Sequence, residues 1–110
     1  MSKSLYAQYI EERGCQHTYE TEYGFATYEY QGEVVYIVDI YVIPEMRKQG
    51  KALSLALKIA EEAKQKGCRA VLGSVDPRAK NSKESLKAIL ALGMVPLRCE
   101  GELVYFIREL

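Results

Sequence analysis

The stretch Val38–Ala52, VDIYVIPEMRKQGKA, decides how the chain reads. It begins as an apolar strand and stops at Pro44, which has no N–H to continue a ladder. A basic turn containing Gly50 then leads into a helix over Lys51–Lys66. That helix carries Leu53, Ala56, Leu57, Ala60 and Ala63 on one stripe, widened by Ala52, Leu55 and Ile59. Lys58, Glu62 and Lys66 line the opposite side, and Gly67 sits where a helix-ending glycine belongs. A strand that enters a helix through a glycine-bearing turn leaves free N–H groups at the positive end of the helix dipole, an arrangement that binds phosphate. Gly50 lets the backbone approach a ligand closely, Ala52 keeps the helix start slim, and Arg47, Lys48 and Lys51 add positive charge. The spacing is neither that of a P-loop nor that of the G-x-G-x-x-G dinucleotide turn.

Outward from this stretch the elements fall into order. Val34–Ile43 is apolar on both faces except at Asp39, as in a strand at the middle of a sheet covered on both sides. Before it, Ser4–Glu12 reads as a short helix with Leu5, Tyr6, Tyr9 and Ile10 as its apolar side, ended by Gly14. Gln16–Glu22 and Tyr23–Gln31 read as strands, and Gln31-Gly32-Glu33 as a tight turn. After the long helix, Arg69–Val75 is a short buried strand, so residues 34–75 form a right-handed strand–helix–strand crossover with parallel strands. Asp76–Asn81 is a loop, and Asn81 caps a second helix with Glu84 as its capping-box partner. Leu86, Ile89 and Leu90 form that helix's apolar face, and Gly93 closes it. Met94–Arg98 and Glu102–Arg108 make a hairpin about Gly101, with Pro96 marking a sheet edge. The expected fold is α+β, an α/β/α sandwich on one mixed, mostly antiparallel sheet with a central βαβ unit.

At 110 residues the chain has material for one core, so residues 1–110 are expected to form a single domain. No apolar run is long enough to span a membrane, and the N-terminus lacks the apolar segment of a secretory leader. Cys15, Cys68 and Cys99 are odd in number and scattered, which fits reduced, buried thiols of a cytosolic protein. His17 is the only histidine, so no Cys/His metal site is expected. Formal net charge is zero, which argues against general nucleic-acid binding. Yet residues 1–46 carry two bases against eight acids, while residues 47–87 carry eleven bases against four. That asymmetry suits an anionic ligand on one part of the surface and a cationic one on another; ordinary solvated faces are the plainer reading.

The ordered set resembles the GCN5-related N-acetyltransferase (GNAT) superfamily. Its [Q/R]-x-x-G-x-[G/A] signature is matched by Arg47, Gly50 and Ala52, after Ile40-Tyr41-Val42-Ile43-Pro44-Glu45. Gly24-Phe25, Asn81 and Gly93-Met94 also fall in matching places, and the resemblance spans roughly residues 16–108. It implies an acyl-CoA N-acyltransferase fold with acetyl-CoA as co-substrate, lying in a V-shaped gap between the Val34–Ile43 and Arg69–Val75 strands. The backbone of Val42 and Ile43 would bind the pantetheine arm, and the Val42 N–H would polarise the thioester carbonyl. Gln49, Gly50, Lys51 and Ala52 would hold the pyrophosphate through their N–H groups, beside Arg47 and Lys48. Asn81 would contact the cofactor.

The chain departs from the family pattern twice. The usual first strand and helix are missing or collapsed into Ser4–Glu12, which leaves the acceptor pocket open or completed by a second copy in a homodimer. The tyrosine that many members place four residues before the helix-closing glycine, as proton donor to the CoA thiolate, is replaced by Ile89. For the base, Asp39 is the candidate, on the same side of its strand as Ile37 and Tyr41, with Tyr41 as the second catalytic candidate. Partial desolvation there raises a carboxyl pKa toward that of a useful base. Asp39 equally suits binding a cationic amine, or a plain hydrogen-bonded place in the sheet. Glu22, Glu29 and Glu33 are weaker candidates, and Tyr28, Tyr30 and Tyr36 are cleft-lining or simply packed. The expectation is transfer of acetyl to a primary amine on a cationic small molecule or protein. The alternative is a catalytically weak relative that binds CoA or a protein partner.

Overall fold

A computed structural model describes residues 3–14, 16–80 and 82–110. Helix α1 (Leu5–Arg13) starts at Ser4, whose hydroxyl accepts the Ala7 N–H. Strands β1 (Gln16–Glu20), β2 (Gly24–Gln31) and β3 (Val34–Val42) form an antiparallel meander. A single 3-10 turn at Pro44–Met46 leads to α2 (Lys51–Gln65), followed by β4 (Ala70–Val75), α3 (Ser82–Ala91), β5 (Val95–Glu100) and β6 (Leu103–Glu109). The sheet order is β1-β2-β3-β4-β6-β5, with β3 and β4 the parallel pair at its centre and β5, with Pro96, at its edge. This is the expected mixed α+β sheet. The cap assigned to Asn81 and the thiol of Cys15 lie outside the described residues.

The core lies between the sheet and α2. Leu55, Ala56, Ile59, Ala60 and Ala63 are buried against Ala26, Tyr28, Val35 and Val71. The buried stripe is therefore centred on Leu55 and Ile59, and Leu57, expected in it, is exposed. α1 covers β1 and β2 on the opposite face through Ala7 and a Tyr6–Phe25 contact, rings 5.4 Å apart. Leu5, Tyr6 and Tyr9, expected as its buried side, stay largely exposed, because a nine-residue helix meets the sheet at one small residue. α3, unlike α1, buries no residue fully; Ile89 packs on the core, whereas Leu86 and Leu90 face solvent. Cys99, on the outer strand, is exposed rather than buried.

One irregularity positions the site. Thr27 pairs with Asp39, but Tyr28 pairs with Ile37, so Val38 is an extra residue in β3. Such a bulge resets the alternation of side chains. Val35, Ile37, Ile40 and Val42 therefore all face α2, while Tyr36, Asp39 and Tyr41 face the other way. Asp39 and Tyr41 share a face as expected. Ile37 does not, and this corrects the simple alternating reading. α1 does not extend over this half of the opposite face, and Asp39 and Tyr41 are exposed rather than covered.

Candidate active site

The β3–β4 ladder ends at Ile37 and Gly73. Both strands continue, β3 to Val42 beside β2 and β4 to Val75 beside β6, so they part in a V. Into this opening runs a cleft of about 1120 Å³, walled by the end of β3, the 44–52 loop, the first turns of α2, and α3. Asp39, Tyr41, Val42, Arg47, Lys48, Gly50, Lys51 and Ala52 all line it. Ile43 and Gln49 lie outside its wall, with Gln49 Nε2 donating to the Glu45 carbonyl at 3.4 Å. Asn81 lies outside the described residues.

The loop is shaped for an anion. Lys48 and Gly50 have φ of 63° and 73°. A left-handed residue at the helix start is inexpensive only for glycine. The first backbone bond of α2 runs from Ser54 N–H to Gly50 C=O at 3.0 Å. The N–H groups of Lys51, Ala52 and Leu53 precede it, and no carbonyl among the described residues accepts them. They converge at the positive end of a fifteen-residue helix. Lys48 is exposed at the rim, and Lys51 Nζ lies 5.0 Å from the centre of the Tyr23 ring. Arg47, also in the cleft wall, is engaged by the protein: Nε donates to Val42 C=O at 2.9 Å and the guanidinium rests over the Tyr41 ring at 5.5 Å. Its role in the fold is to tie the loop to the end of β3.

The hydrogen-bonding phase of β3 decides which backbone groups face the gap. Ile43 N–H donates to Tyr23 C=O at 2.8 Å, and Ile43 C=O accepts the Met46 N–H at 3.0 Å. Both its polar groups are therefore engaged. In an antiparallel pair bonded and non-bonded residues alternate, so Tyr41 faces β2 while Ile40 and Val42 turn their backbone groups toward the opening. The Val42 carbonyl is already taken by Arg47, which leaves its N–H.

Asp39 stands at the lip of the V on the face away from α2. Desolvation, the one cause acting on it, raises its carboxyl above the ordinary value of 3.8. No hydrogen bond or ion pair among the described residues engages it. Opposite it, Thr27 is buried with its hydroxyl unpartnered. Tyr41 continues an aromatic row with Phe25, rings 5.7 Å apart. Tyr28 and Tyr30 lie on the α2 face: Tyr28 donates to Glu62 at 2.9 Å, and burial pushes the Tyr30 hydroxyl up to about 12. They are packed side chains. Ile89, at the tyrosine's place, forms part of the cleft wall, and α3 contains no tyrosine.

The acetyltransferase (GNAT) family matches residues 14–84, well over half the chain, and the chain belongs to that family. Acetyl-CoA is the family's co-substrate. Among solved structures, the chain is similar to the PaiA N-acetyltransferase of Thermoplasma acidophilum in complex with coenzyme A (13% identity, TM-score 0.76, 91% of this chain). It spans 64% of that protein's length. A Bacillus subtilis acetyltransferase in complex with CoA is 18% identical, with TM-score 0.71, over 96% of this chain and 82% of its own. The anti-CRISPR protein AcrVA5 is 14% identical, with TM-score 0.68, over 84% of this chain and 98% of its own. No helix among the described residues is long and apolar enough to cross a membrane.

Proposed function

We propose that this chain is an acetyl-CoA-dependent N-acetyltransferase acting on a primary amine of a cationic acceptor, a small molecule or a protein lysine or N-terminus. One observation carries the reading: β3 and β4 part directly before the unpaired N–H groups of a helix that opens on a left-handed glycine. The residues present fit the co-substrate. The N–H groups from Gln49 to Ala52, with Lys48 and Lys51, hold the pyrophosphate, and Arg47 supports the loop. Asn81 is a further contact. Ile40 and Val42, rather than Ile43, bind the pantetheine arm, since Ile43 is already bonded on both sides. The Val42 N–H, left free toward the opening, would donate to the thioester carbonyl and stabilise negative charge there.

The acceptor enters on the opposite face, where Asp39 and the Tyr41 ring offer a carboxylate and an aromatic surface for a cation. Asp39 takes the surplus proton as the amine attacks, and its carboxyl is raised above the ordinary value, the direction that favours a base. Holding amine and thioester together is itself worth about 7–11 kcal/mol in well-oriented systems. The same reading carries a cytosolic location and a homodimer. Leu90, Val95 and Leu97 leave apolar surface exposed on α3 and β5 for a second copy, which sedimentation tests.

The second reading, a catalytically weak relative that binds CoA or a protein, draws on Ile89 in the tyrosine's place. A thiol-release assay with acetyl-CoA against a panel of amines and basic peptides separates the two. Release with a cationic amine supports transfer. Acetyl-CoA binding without release from any acceptor supports the second reading.

A further inference from the structure

Resting on the acetyltransferase reading, we infer that Ser74, backed by Tyr36, is the group that protonates the departing CoA thiolate. α3 puts Ile89 where the tyrosine would stand, and its cleft-lining hydroxyl, Ser85, lies a turn earlier with no side-chain partner among the described residues to relay a proton, whereas a strand hydroxyl at the opening has one. Ser74 is the first residue of β4 beyond the last β3–β4 pair, Ile37–Gly73, and it lines the cleft. Register places its side chain with Leu72 and Tyr105 on the face that also carries Tyr36 and Asp39. Asp39 and Ser74 are thus the first side chains of that face on the two lips of the V. An acetyl group between them meets a carboxylate from β3 and a hydroxyl from β4.

The Ser74 hydroxyl is held. Tyr36 Oη lies 2.6 Å from Ser74 Oγ across the parallel pair, and both groups are half-buried. When the phenol donates to Ser74, the Ser74 proton is left free to point into the gap. The Tyr36 ring is fixed in turn beside Tyr105, 6.4 Å away. A serine alone is a poor proton donor, because its alkoxide is unstable. A serine that receives a proton from a tyrosine as it gives one up leaves the charge on the phenolate, where the ring delocalises it.

The steps balance. The amine nitrogen bonds to the thioester carbonyl carbon, and its surplus proton goes to the Asp39 carboxylate. The C–S bond breaks with its electron pair on sulfur. Sulfur takes the Ser74 proton as Ser74 takes the Tyr36 proton. Solvent then removes one proton from Asp39 and returns one to Tyr36. Ser74 touches the leaving group and is catalytic; Tyr36 acts through it and is a positioning residue.

The test combines turnover with a binding readout. Ser74→Ala and Tyr36→Phe are each expected to lower kcat at least tenfold with KM and Kd for acetyl-CoA unchanged. The double variant is expected to be no slower than Ser74→Ala, because the two act as one unit, and Ser74→Thr is expected to retain most activity. Independently of turnover, the thiol of bound CoA, followed by thiolate ultraviolet absorbance, is expected to titrate at lower pH in the wild type than in Ser74→Ala. The reason is that a donated hydrogen bond favours the thiolate. Unchanged kcat in both single variants overturns the assignment, as does multiplication of their effects or an identical thiol titration. Wild-type protein that binds acetyl-CoA but releases no CoA with any amine overturns the transfer reading and this assignment with it. Wild-type turnover that survives in both variants overturns this assignment alone.

Discussion

Gly24 lies directly against the Tyr41 carbonyl: a Cβ built on Gly24 would stand 2.0 Å from that oxygen and 3.0 Å from the Val42 Cα. The contact holds β2 against the end of β3, where β3 has already lost β4 on its other side. The position of Val42 in the cleft therefore depends on a missing side chain one strand away. Gly24→Ala is expected to lower stability by about 1–3 kcal/mol, the usual range for overpacking. Urea denaturation measures it. Acetyl-CoA affinity should fall with it, since the Ile40 and Val42 backbone moves.

Arg47 and Lys48 are adjacent but predict different outcomes. Arg47 is occupied by the Val42 carbonyl and the Tyr41 ring. Arg47→Ala is expected to cost about 1 kcal/mol of stability, the scale of one lost hydrogen bond. Lys48 is exposed at the cleft rim with no such tie. Lys48→Ala is expected to leave stability unchanged and to weaken acetyl-CoA binding at low salt, the difference shrinking as salt screens the charge. Calorimetry at two ionic strengths, with a denaturation curve for each variant, separates these effects.

Asp39 makes a prediction about pH as well as rate. Asp39→Asn is expected to reduce turnover at least tenfold with acetyl-CoA affinity intact. Its carboxyl is raised in the folded protein, so the folded state holds the proton more tightly than the unfolded chain. The associated stability is fully present below the ordinary value of 3.8 and is lost as pH rises through the raised value. At neutral pH the Asn variant should thus be more stable than the wild type, and the gain should vanish below that ordinary value. A variant equally stable at both pH values would contradict the raised carboxyl of Asp39.

Much of this architecture was readable from residue order. Pro44, Gly50 and the apolar stripe of α2 mark the junction of strand, loop and helix, and the gap between β3 and β4 follows from the family that junction resembles. The finer site was not readable, for physical reasons. The extra residue at Val38 leaves no mark in composition, yet it moves Ile37 to the α2 face while Asp39 and Tyr41 share the other. Which backbone groups are free depends on hydrogen-bond phase, so residue order alone does not distinguish Ile43, bonded to Tyr23 and Met46, from Val42. The Tyr36–Ser74 contact joins residues 38 apart in sequence and has no local signature.

Acetyl-CoA binding at the start of α2 underlies every other role proposed for these residues. Titration calorimetry of the wild type should show one acetyl-CoA per chain. In Gly50→Glu, which puts a carboxylate and a strained left-handed backbone at the pyrophosphate position, that binding should be lost while the fold survives. No heat of binding in the wild type, or equal affinity in Gly50→Glu, would contradict it.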